Sequence, residues 1–241
     1  MKKFGLIGQS LKHSFSKTYF TQKFANEKIN ASYVNCEFQS LGDLNWMKKL
    51  GFTGCNVTMP FKSVALELVD KIDETAAAIG AINTIKREGK ILTGYNTDVI
   101  GFEKSLIGTD LIAQLEKKAL ILGSGGASRA VDYVLKNLGF STAIVSRTKG
   151  DMTYTDIDES IIKNIGLVVN TTPLGMYPKT KICPPIPYQF ISDRQLAFDL
   201  IYNPNKTLFL KKAEENGASI VNGYEMLELQ AEASWQIWNN T

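Results

Sequence analysis

The stretch that most constrains the fold is Ala119-Leu120-Ile121-Leu122-Gly123-Ser124-Gly125-Gly126-Ala127-Ser128-Arg129-Ala130. An unbroken apolar run meets a cluster of glycines and then a helix-compatible sequence. Such a run reads as a strand of a parallel sheet covered on both faces, because alternation is expected only where one face meets water. Gly123 and Gly125 permit a tight turn and a close backbone approach. A helix starting near Ala127 then directs its free N–H groups and positive dipole end at whatever occupies the turn. A pyrophosphate is the usual occupant of that arrangement. The third glycine of G-x-G-x-x-G/A is Ser128 here, still a small residue. A turn of this kind also occurs as mere structure.

Ser141-Thr142-Ala143-Ile144-Val145-Ser146 reads as the next strand, about one helix length further along. At the end of such a strand an NAD site carries Asp or Glu for the ribose 2′-hydroxyl. Here the residues are Ser146-Arg147-Thr148-Lys149. An acidic side chain would repel a 2′-phosphate, whereas the planar guanidinium of Arg147 can hold one through paired donors. The residues therefore point to NADP rather than NAD.

With 241 residues and 44% apolar content, the chain can form one or two domains with substantial cores. A formal net charge of +3 and the lack of a long basic run argue against a nucleic-acid partner. No apolar stretch approaches membrane-spanning length. The opening Met1-Lys2-Lys3-Phe4-Gly5-Leu6-Ile7-Gly8 turns polar too soon for a secretory signal. Cys36, Cys55 and Cys183 are far apart and odd in number, and His13 is the only histidine, so no zinc site is expected. The expectation is a soluble cytoplasmic α/β protein without a metal.

In chain order, strands are expected at residues 4–7, 32–38 and 54–58, with helices at 16–27 and 41–50 between them. Pro60 suits the first turn of a following helix. A short helix is expected within 73–79, then a hairpin in which 81–85 and 91–95 flank Lys86-Arg87-Glu88-Gly89-Lys90. Asp98 is placed to cap a helix beginning at Val99. Beyond Arg147 the crossover is thin, with room for only a short helix around 158–164. Strands at 167–170, 196–201 and 218–221, a helix at 206–216 and a C-terminal helix opened by Gly223 complete the pattern.

The richest polar loops fall where strands end, the edge at which open α/β sheets bind ligands. Ser14 and Ser16 follow the first strand, Asn56, Thr58 and Lys62 the third, and Asn83, Asn96 and Asp98 surround the hairpin. Their hydroxyl and amide groups suit a polyhydroxylated substrate, and Lys62 supplies a cation for an anionic group or for proton transfer. Each residue also has a plainer use. Ser14 can be a loop residue and Ser16 a helix N-cap, the asparagines can satisfy turn backbone, Asp98 can act only as a cap, and Lys62 can be a solvated side chain. A cation at a helix start opposes the dipole, which sets Lys62 apart.

Asn56-Val57-Thr58-Met59-Pro60-Phe61-Lys62 resembles the N-V-T-x-P-x-K signature of the shikimate dehydrogenase family. Other blocks match in family order. His13-Ser14-Phe15-Ser16 resembles its H-S-x-S loop, Gly80-Ala81-Ile82-Asn83-Thr84 its G-A-x-N-T segment, and Gly94-Tyr95-Asn96-Thr97-Asp98-Val99-Ile100-Gly101 its G-x-N-T-D-x-x-G. Gly123 to Arg129 resembles its glycine turn. Asn170-Thr171-Thr172-Pro173-Leu174-Gly175-Met176 and the segment from Asn222 to Ala231 complete the series.

The resemblance implies an α/β fold with a Rossmann-type NADP domain, an α/β substrate-binding domain and an active site in the cleft between them. The substrate domain is expected at 1–100, completed by a C-terminal helix at 224–241, and the NADP domain at 101–223. The implied activity is the NADP-dependent, reversible reduction of 3-dehydroshikimate to shikimate, a step in chorismate and aromatic amino acid biosynthesis. Lys62 and Asp98 would be the catalytic pair. Ser14, Ser16, Thr58, Asn83 and Gln230 would hold the substrate's hydroxyls and carboxylate, with Tyr202 near the carboxylate. Cofactor contacts would come from Gly123, Gly125, Gly126, Ala127, Arg129, Ser146, Arg147, Thr148, Thr172 and Gly223. The small-molecule substrate is the expected partner, and the protein is expected to be a monomer or homodimer.

Three departures from the family pattern stand out. The usual N-R-T is Ser146-Arg147-Thr148, and Asp151 stands where a second basic residue often follows, so NADP preference rests mainly on Arg147 with help from Lys149. The segment after Thr148 is short, and Lys17 replaces the proline common after H-S-x-S. The competing readings are a methyltransferase, a catalytically silent NADP sensor, and a quinate/shikimate dehydrogenase accepting NAD. The first would want an acid near Ser146 for the ribose hydroxyls, and the second does not need both Lys62 and Asp98.

Overall fold

The structure, a computed structural model, describes residues 1–12 and 14–240; His13 of the H-S-x-S block lies outside the described residues. The chain divides into two compact units, Met1–Thr97 with Ala231–Thr241 and Asp98–Gln230. Among the described residues no helix is long and apolar enough to cross a membrane.

The first unit contains β1 (Lys2–Gly8), α1 (Phe15–Asn26), β2 (Ala31–Glu37), α2 (Asn45–Lys49), β3 (Gly54–Val57), β4 (Lys71–Ile72), α3 (Glu74–Ile79), β5 (Thr84–Glu88) and β6 (Ile91–Tyr95). Its six-stranded sheet has the order β2-β1-β3-β5-β6-β4. β1 is parallel to β2 and β3, whereas β5 is antiparallel to both β3 and β6. The exits of β1, β3 and β6 and the entry of β5 therefore share one edge. Strand alternation sends Phe4 and Leu6 into a core with Phe20, Phe24, Tyr33 and Trp238, and Ile7 into another with Met47, Phe52, Cys55 and Phe61. Gly5 lies on the crowded second face, where a Cβ would sit 2.9 Å from the Phe52 ring and 3.0 Å from the Val34 carbonyl.

Three local expectations change. The helix expected at 41–50 is confined to α2 because the Asp43 carboxylate accepts from the Asn45 N–H at 2.8 Å and sets the first turn there. No α-helix follows Pro60; the segment makes turns and a short 3-10 helix at Val64–Glu67. The Lys62 carbonyl accepts from the Ile82 N–H at 2.8 Å, so it is not spent on an α-helical ladder. β4, which the sequence pattern did not suggest, has two exposed residues, too few for alternation to register.

The second unit contains α4 (Asp98–Ile107), β7 (Lys118–Leu122), α5 (Gly126–Asn137), β8 (Ser141–Val145), α6 (Glu159–Lys163), β9 (Leu167–Asn170), β10 (Leu196–Asp199), α7 (Leu208–Glu215), β11 (Ser219–Val221) and the start of α8 (Tyr224–Asn239). The five strands are all parallel, in the order β11-β10-β9-β7-β8. β7, β9 and β10 are buried almost throughout, which explains their unbroken apolar runs. α5 buries Ala130, Val131, Val134 and Leu135, one stripe of a helix.

A doubly wound sheet of this kind carries a further strand outside β8. Here it is reduced to a single parallel bridge between Val145 and Met152. The loop folds straight back, with the Asp151 N–H donating to the Ile144 carbonyl and the Ile144 N–H donating to the Asp151 carboxylate, both at 2.8 Å. Asp151 thus satisfies the open edge of β8, and the short segment after Thr148 is the truncated strand.

Candidate active site

In the first unit the predicted residues gather at the shared sheet edge. Ser14 is the N-cap of α1, its Oγ accepting from the Lys17 N–H at 3.2 Å, and Ser16 lies in the first turn. Thr58 leaves β3 with its N–H bonded to the Ile7 carbonyl at 2.8 Å. Asn83 is buried just before β5, and its backbone joins β3 to β6: its carbonyl accepts from Val57 at 2.8 Å and its N–H donates to Tyr95 at 3.0 Å. Lys62 is half-buried beside the wholly packed Phe61, and its carbonyl is tied to Ile82, the residue before Asn83. Thr58, Lys62 and Asn83 are therefore anchored to one another through backbone, independent of their side chains.

Beneath them runs a buried polar network. Asn83 Oδ1 accepts from the Thr97 N–H at 2.7 Å, and Asn83 Nδ2 donates to Thr97 Oγ at 3.0 Å. Ser234 of α8 lies within 3.1 Å of Thr97 Oγ and 2.8 Å of Thr84 Oγ. Asn56 donates to Thr84 at 3.1 Å and to Ser234 at 2.9 Å, and accepts from Tyr33 at 2.8 Å. Tyr33 and Ser234 were not read from sequence as site residues. The available signal was one small polar residue among Ala231, Ala233, Trp235 and Trp238 on the buried side of α8.

In the second unit Asp98 is buried in the first turn of α4, where a carboxylate favours the helix dipole. A Cβ on Gly101, one turn along, would lie 3.0 Å from Gln230 Cβ and 2.5 Å from the Met226 carbonyl, so only glycine lets α8 come this close. Gln230 is thereby seated one turn from Asp98, its Nε2 donating to Leu227 at 2.8 Å. The unit boundary falls between Thr97 and Asp98, so Lys62 and Asp98 belong to different units.

The glycine turn, the loop after β8, Thr172, Tyr202 and Gly223 all follow the carboxyl ends of parallel strands. Gly123 has φ +114°, and a Cβ there would meet Thr171 Oγ at 2.6 Å, so glycine is required twice over. A Cβ on Gly125 would meet nothing, and the turn is open in front of the N-terminus of α5. Buried Ser128 leaves its Oγ without a hydrogen-bond partner. An open glycine cradle with free helical N–H groups fits a dinucleotide pyrophosphate. Ser146 Oγ sits 3.0 Å from Ser124 Oγ and accepts from the Lys149 N–H at 3.3 Å, holding the loop closed while Arg147, Thr148 and Lys149 stay exposed. Arg129 is also exposed, and Gly126 and Ala127 open α5. Gly223 packs against the Leu200 carbonyl, which would clash with any Cβ. Tyr202 is half-buried, and burial pushes its phenol above the ordinary value. A cavity of about 560 Å³ at the opposite, amino ends of these strands, lined by Leu115, Lys163, Arg194 and Ser219, contains none of the predicted residues.

Thr172 is set by Asn170, whose Oδ1 accepts from the Thr172 N–H at 3.0 Å and Oγ at 2.7 Å, and whose Nδ2 donates to Asp199 at 3.0 Å. Asp199 is fully buried and also accepts from the Ile201 N–H at 3.0 Å and Thr207 Oγ at 2.5 Å. Burial pushes its carboxyl up from 3.8 to about 6, and these hydrogen bonds pull in the opposite direction. A folded value above the unfolded one makes the contribution complete below about pH 4 and lost as pH rises through about 6. Asp199→Asn keeps an acceptor for Ile201 and removes the charge. Its Tm relative to the parent is therefore expected to rise between pH 4 and 7, by the equivalent of at most about 3 kcal/mol. Thermal scans across that range check this; a pH-independent difference overturns the assignment.

A family model described as the shikimate dehydrogenase substrate binding domain matches residues 6–85. The shikimate dehydrogenase (NADP(+)) of Methanococcus aeolicus is 37% identical over 98% of this chain and 91% of its own. The chain belongs to the shikimate dehydrogenase family. The crystal structure of shikimate dehydrogenase from Aquifex aeolicus superimposes with a TM-score of 0.88 at 36% identity, covering 99% of this chain and 92% of that one. The Thermus thermophilus enzyme, solved in complex with NADP(H) and shikimate, gives 0.86 at 28% identity over 99% and 94%. The α/β fold and the Rossmann-type sheet expected for this family are those observed.

Proposed function

We propose that Lys62 and Asp98 handle the proton in the NADP-dependent interconversion of shikimate and 3-dehydroshikimate that this family member carries out, while Ser14, Ser16, Thr58, Asn83, Tyr202 and Gln230 hold the substrate. The observation that carries this reading is the backbone anchoring of Thr58, Lys62 and Asn83 at one sheet edge beside the loop bearing Ser14 and Ser16. NADP, when bound, exchanges a hydride with the substrate's ring carbon. The Lys62 ammonium donates a proton to the developing alkoxide in reduction, the neutral amine takes it back in oxidation, and Asp98 is its partner in that proton handling. The hydroxyl and amide groups restrain the ring, so that orientation is supplied by binding. On this reading the substrate domain spans 1–100 with 224–241, and 101–223 bind NADP through the glycine turn and Arg147. The protein is a cytoplasmic monomer or homodimer, a location in keeping with its free thiols.

Initial rates of shikimate oxidation with NADP and with NAD, repeated with quinate, test this reading. Shikimate with NADP is expected to be strongly preferred. In Arg147→Ala, kcat/KM with NADP is expected to fall about 10- to 100-fold, the loss of a charge-assisted phosphate contact, and with NAD by less than about threefold. Equal losses with both cofactors would remove Arg147 from cofactor choice. Comparable parent rates with NAD or quinate would indicate the broader quinate/shikimate enzyme, and no turnover would overturn the reaction.

A further inference from the structure

The hydroxyl pair that joins the glycine turn to the loop after β8 has a determined direction. Ser146 Oγ accepts from the Lys149 N–H at 3.3 Å and from the Thr148 N–H at 3.5 Å, and a backbone N–H can only donate. Both lone pairs of Ser146 are thus committed inside its own loop. Its single proton goes to Ser124 Oγ, 3.0 Å away. Ser124 is exposed, accepts from Ser146, and keeps its own proton unspent. Backbone bonds hold the two serines side by side without their hydroxyls. The Gly123 N–H donates to the Val145 carbonyl at 2.8 Å, and the Ser146 N–H to the Met152 carbonyl at 3.0 Å. Ser146 directly follows β8, the position at which an NAD enzyme carries the acid for its ribose 2′-hydroxyl. Ser124 lies beside that position.

We propose that Ser124 is a specificity-determining residue of the cofactor site: Ser146, spent on its own loop, is a positioning residue that presents the Ser124 hydroxyl as a donor to the 2′-phosphate of NADP. A phosphate oxygen only accepts and carries charge, so it takes this proton more strongly than a neutral 2′-hydroxyl does. Arg147 grips the phosphate from the loop, and Ser124 adds its bond from the side of the turn. The serine that stands in place of the family's asparagine therefore acts through its neighbour and not by touching the cofactor.

The proposal rests on NADP binding at this turn, and its test needs no turnover. Adenosine 2′,5′-bisphosphate and AMP, which differ only in the 2′-phosphate, are titrated by calorimetry into the parent, both single alanine variants and the double variant. The parent is expected to bind the bisphosphate more tightly; equal binding by the parent would overturn the NADP reading and the proposal with it. In Ser124→Ala, Kd for the bisphosphate is expected to rise about 5- to 20-fold, the scale of one hydrogen bond to a charged group, and Kd for AMP by less than about twofold. Ser146→Ala is expected to weaken the bisphosphate in the same direction. Adding Ser124→Ala to it is expected to cost less than about threefold more, because the hydroxyl then removed is no longer oriented. With the parent preference intact, three results would overturn the proposal alone. These are no loss of bisphosphate binding in Ser124→Ala, equal losses for the two nucleotides, and effects that multiply in the double variant, which would make Ser146 a direct phosphate contact.

Discussion

Lys62→Ala is expected to lower kcat for shikimate oxidation by about 10²- to 10⁴-fold while KM changes by less than about threefold. The size follows from losing a positioned proton donor and acceptor at the oxygen whose bond order changes with hydride transfer. The sparing of KM follows from the other polar groups, whose anchoring does not depend on the lysine side chain: the Lys62 carbonyl keeps its bond from Ile82, and Asn83 keeps its bonds to Val57 and Tyr95. Phe61, next to Lys62, remains in the core. Tm is therefore expected to stay within about 2 °C of the parent, since the change is to a side chain outside the core. Steady-state kinetics with saturating NADP, together with a thermal scan, separate the outcomes. A rise in KM with turnover intact would make Lys62 an electrostatic anchor and remove it from proton transfer.

Trp238→Ala is expected to cost about 3–5 kcal/mol, the range for deleting a buried large aromatic side chain. Trp238 is 3% exposed although it lies close to the chain end. It stacks on Phe4 at 4.7 Å, approaches Phe20 at 5.4 Å and covers Gly54, where any Cβ would collide with its indole. Its Nε1 donates to the Ile85 carbonyl at 3.0 Å, so truncation also leaves that buried carbonyl short of a donor. For a chain of this length the loss corresponds to a fall in Tm of about 10 °C. Trp238→Phe, which refills part of the space but not the hydrogen bond, is expected to fall between the two. A Tm shift under about 2 °C for the alanine variant would show that α8 does not close the core. The same substitution is expected to disturb Ser234, one turn earlier on α8, and through it Thr84 and Thr97.

The elements that sequence alone made legible are those whose cause is local. β7, with Gly123 and α5 after it, could be read because a two-face buried strand needs an apolar run and a turn at φ +114° needs glycine. Asp73 caps the helix expected at 73–79 through its own side chain, whereas α1 is capped by Ser14 and not by Ser16, because residue type shows that a serine can cap and not which of two neighbouring serines does. The ordered motif blocks carried the family, since no single block is specific. Composition added only what the chain is not.

What the sequence pattern missed depends on residues far apart. The helix expected after Pro60 does not form because Ile82, twenty positions on, takes the Lys62 carbonyl. The extent of the truncation after Thr148 became visible only when Met152 proved to be the single bridged residue of a missing strand and Asp151 the group that satisfies the β8 edge. In the sequence Asp199 is one more residue of the strand expected at 196–201, and only the fold places Asn170 and Thr207 around it, because a raised carboxyl value is produced by burial and not by residue type.

The sequence by itself therefore determined the family, the alternation of elements, the glycine turn and the residue types available for chemistry, each of which depends on neighbours within a few positions. Only the tertiary structure decided which of those residues share a sheet edge, which backbone groups hold them, and in which direction Tyr33 and Asn56 hydrogen-bond. A hydrogen bond's polarity depends on what else its partners bind, and those partners come from β2, β3 and α8, separated by most of the chain.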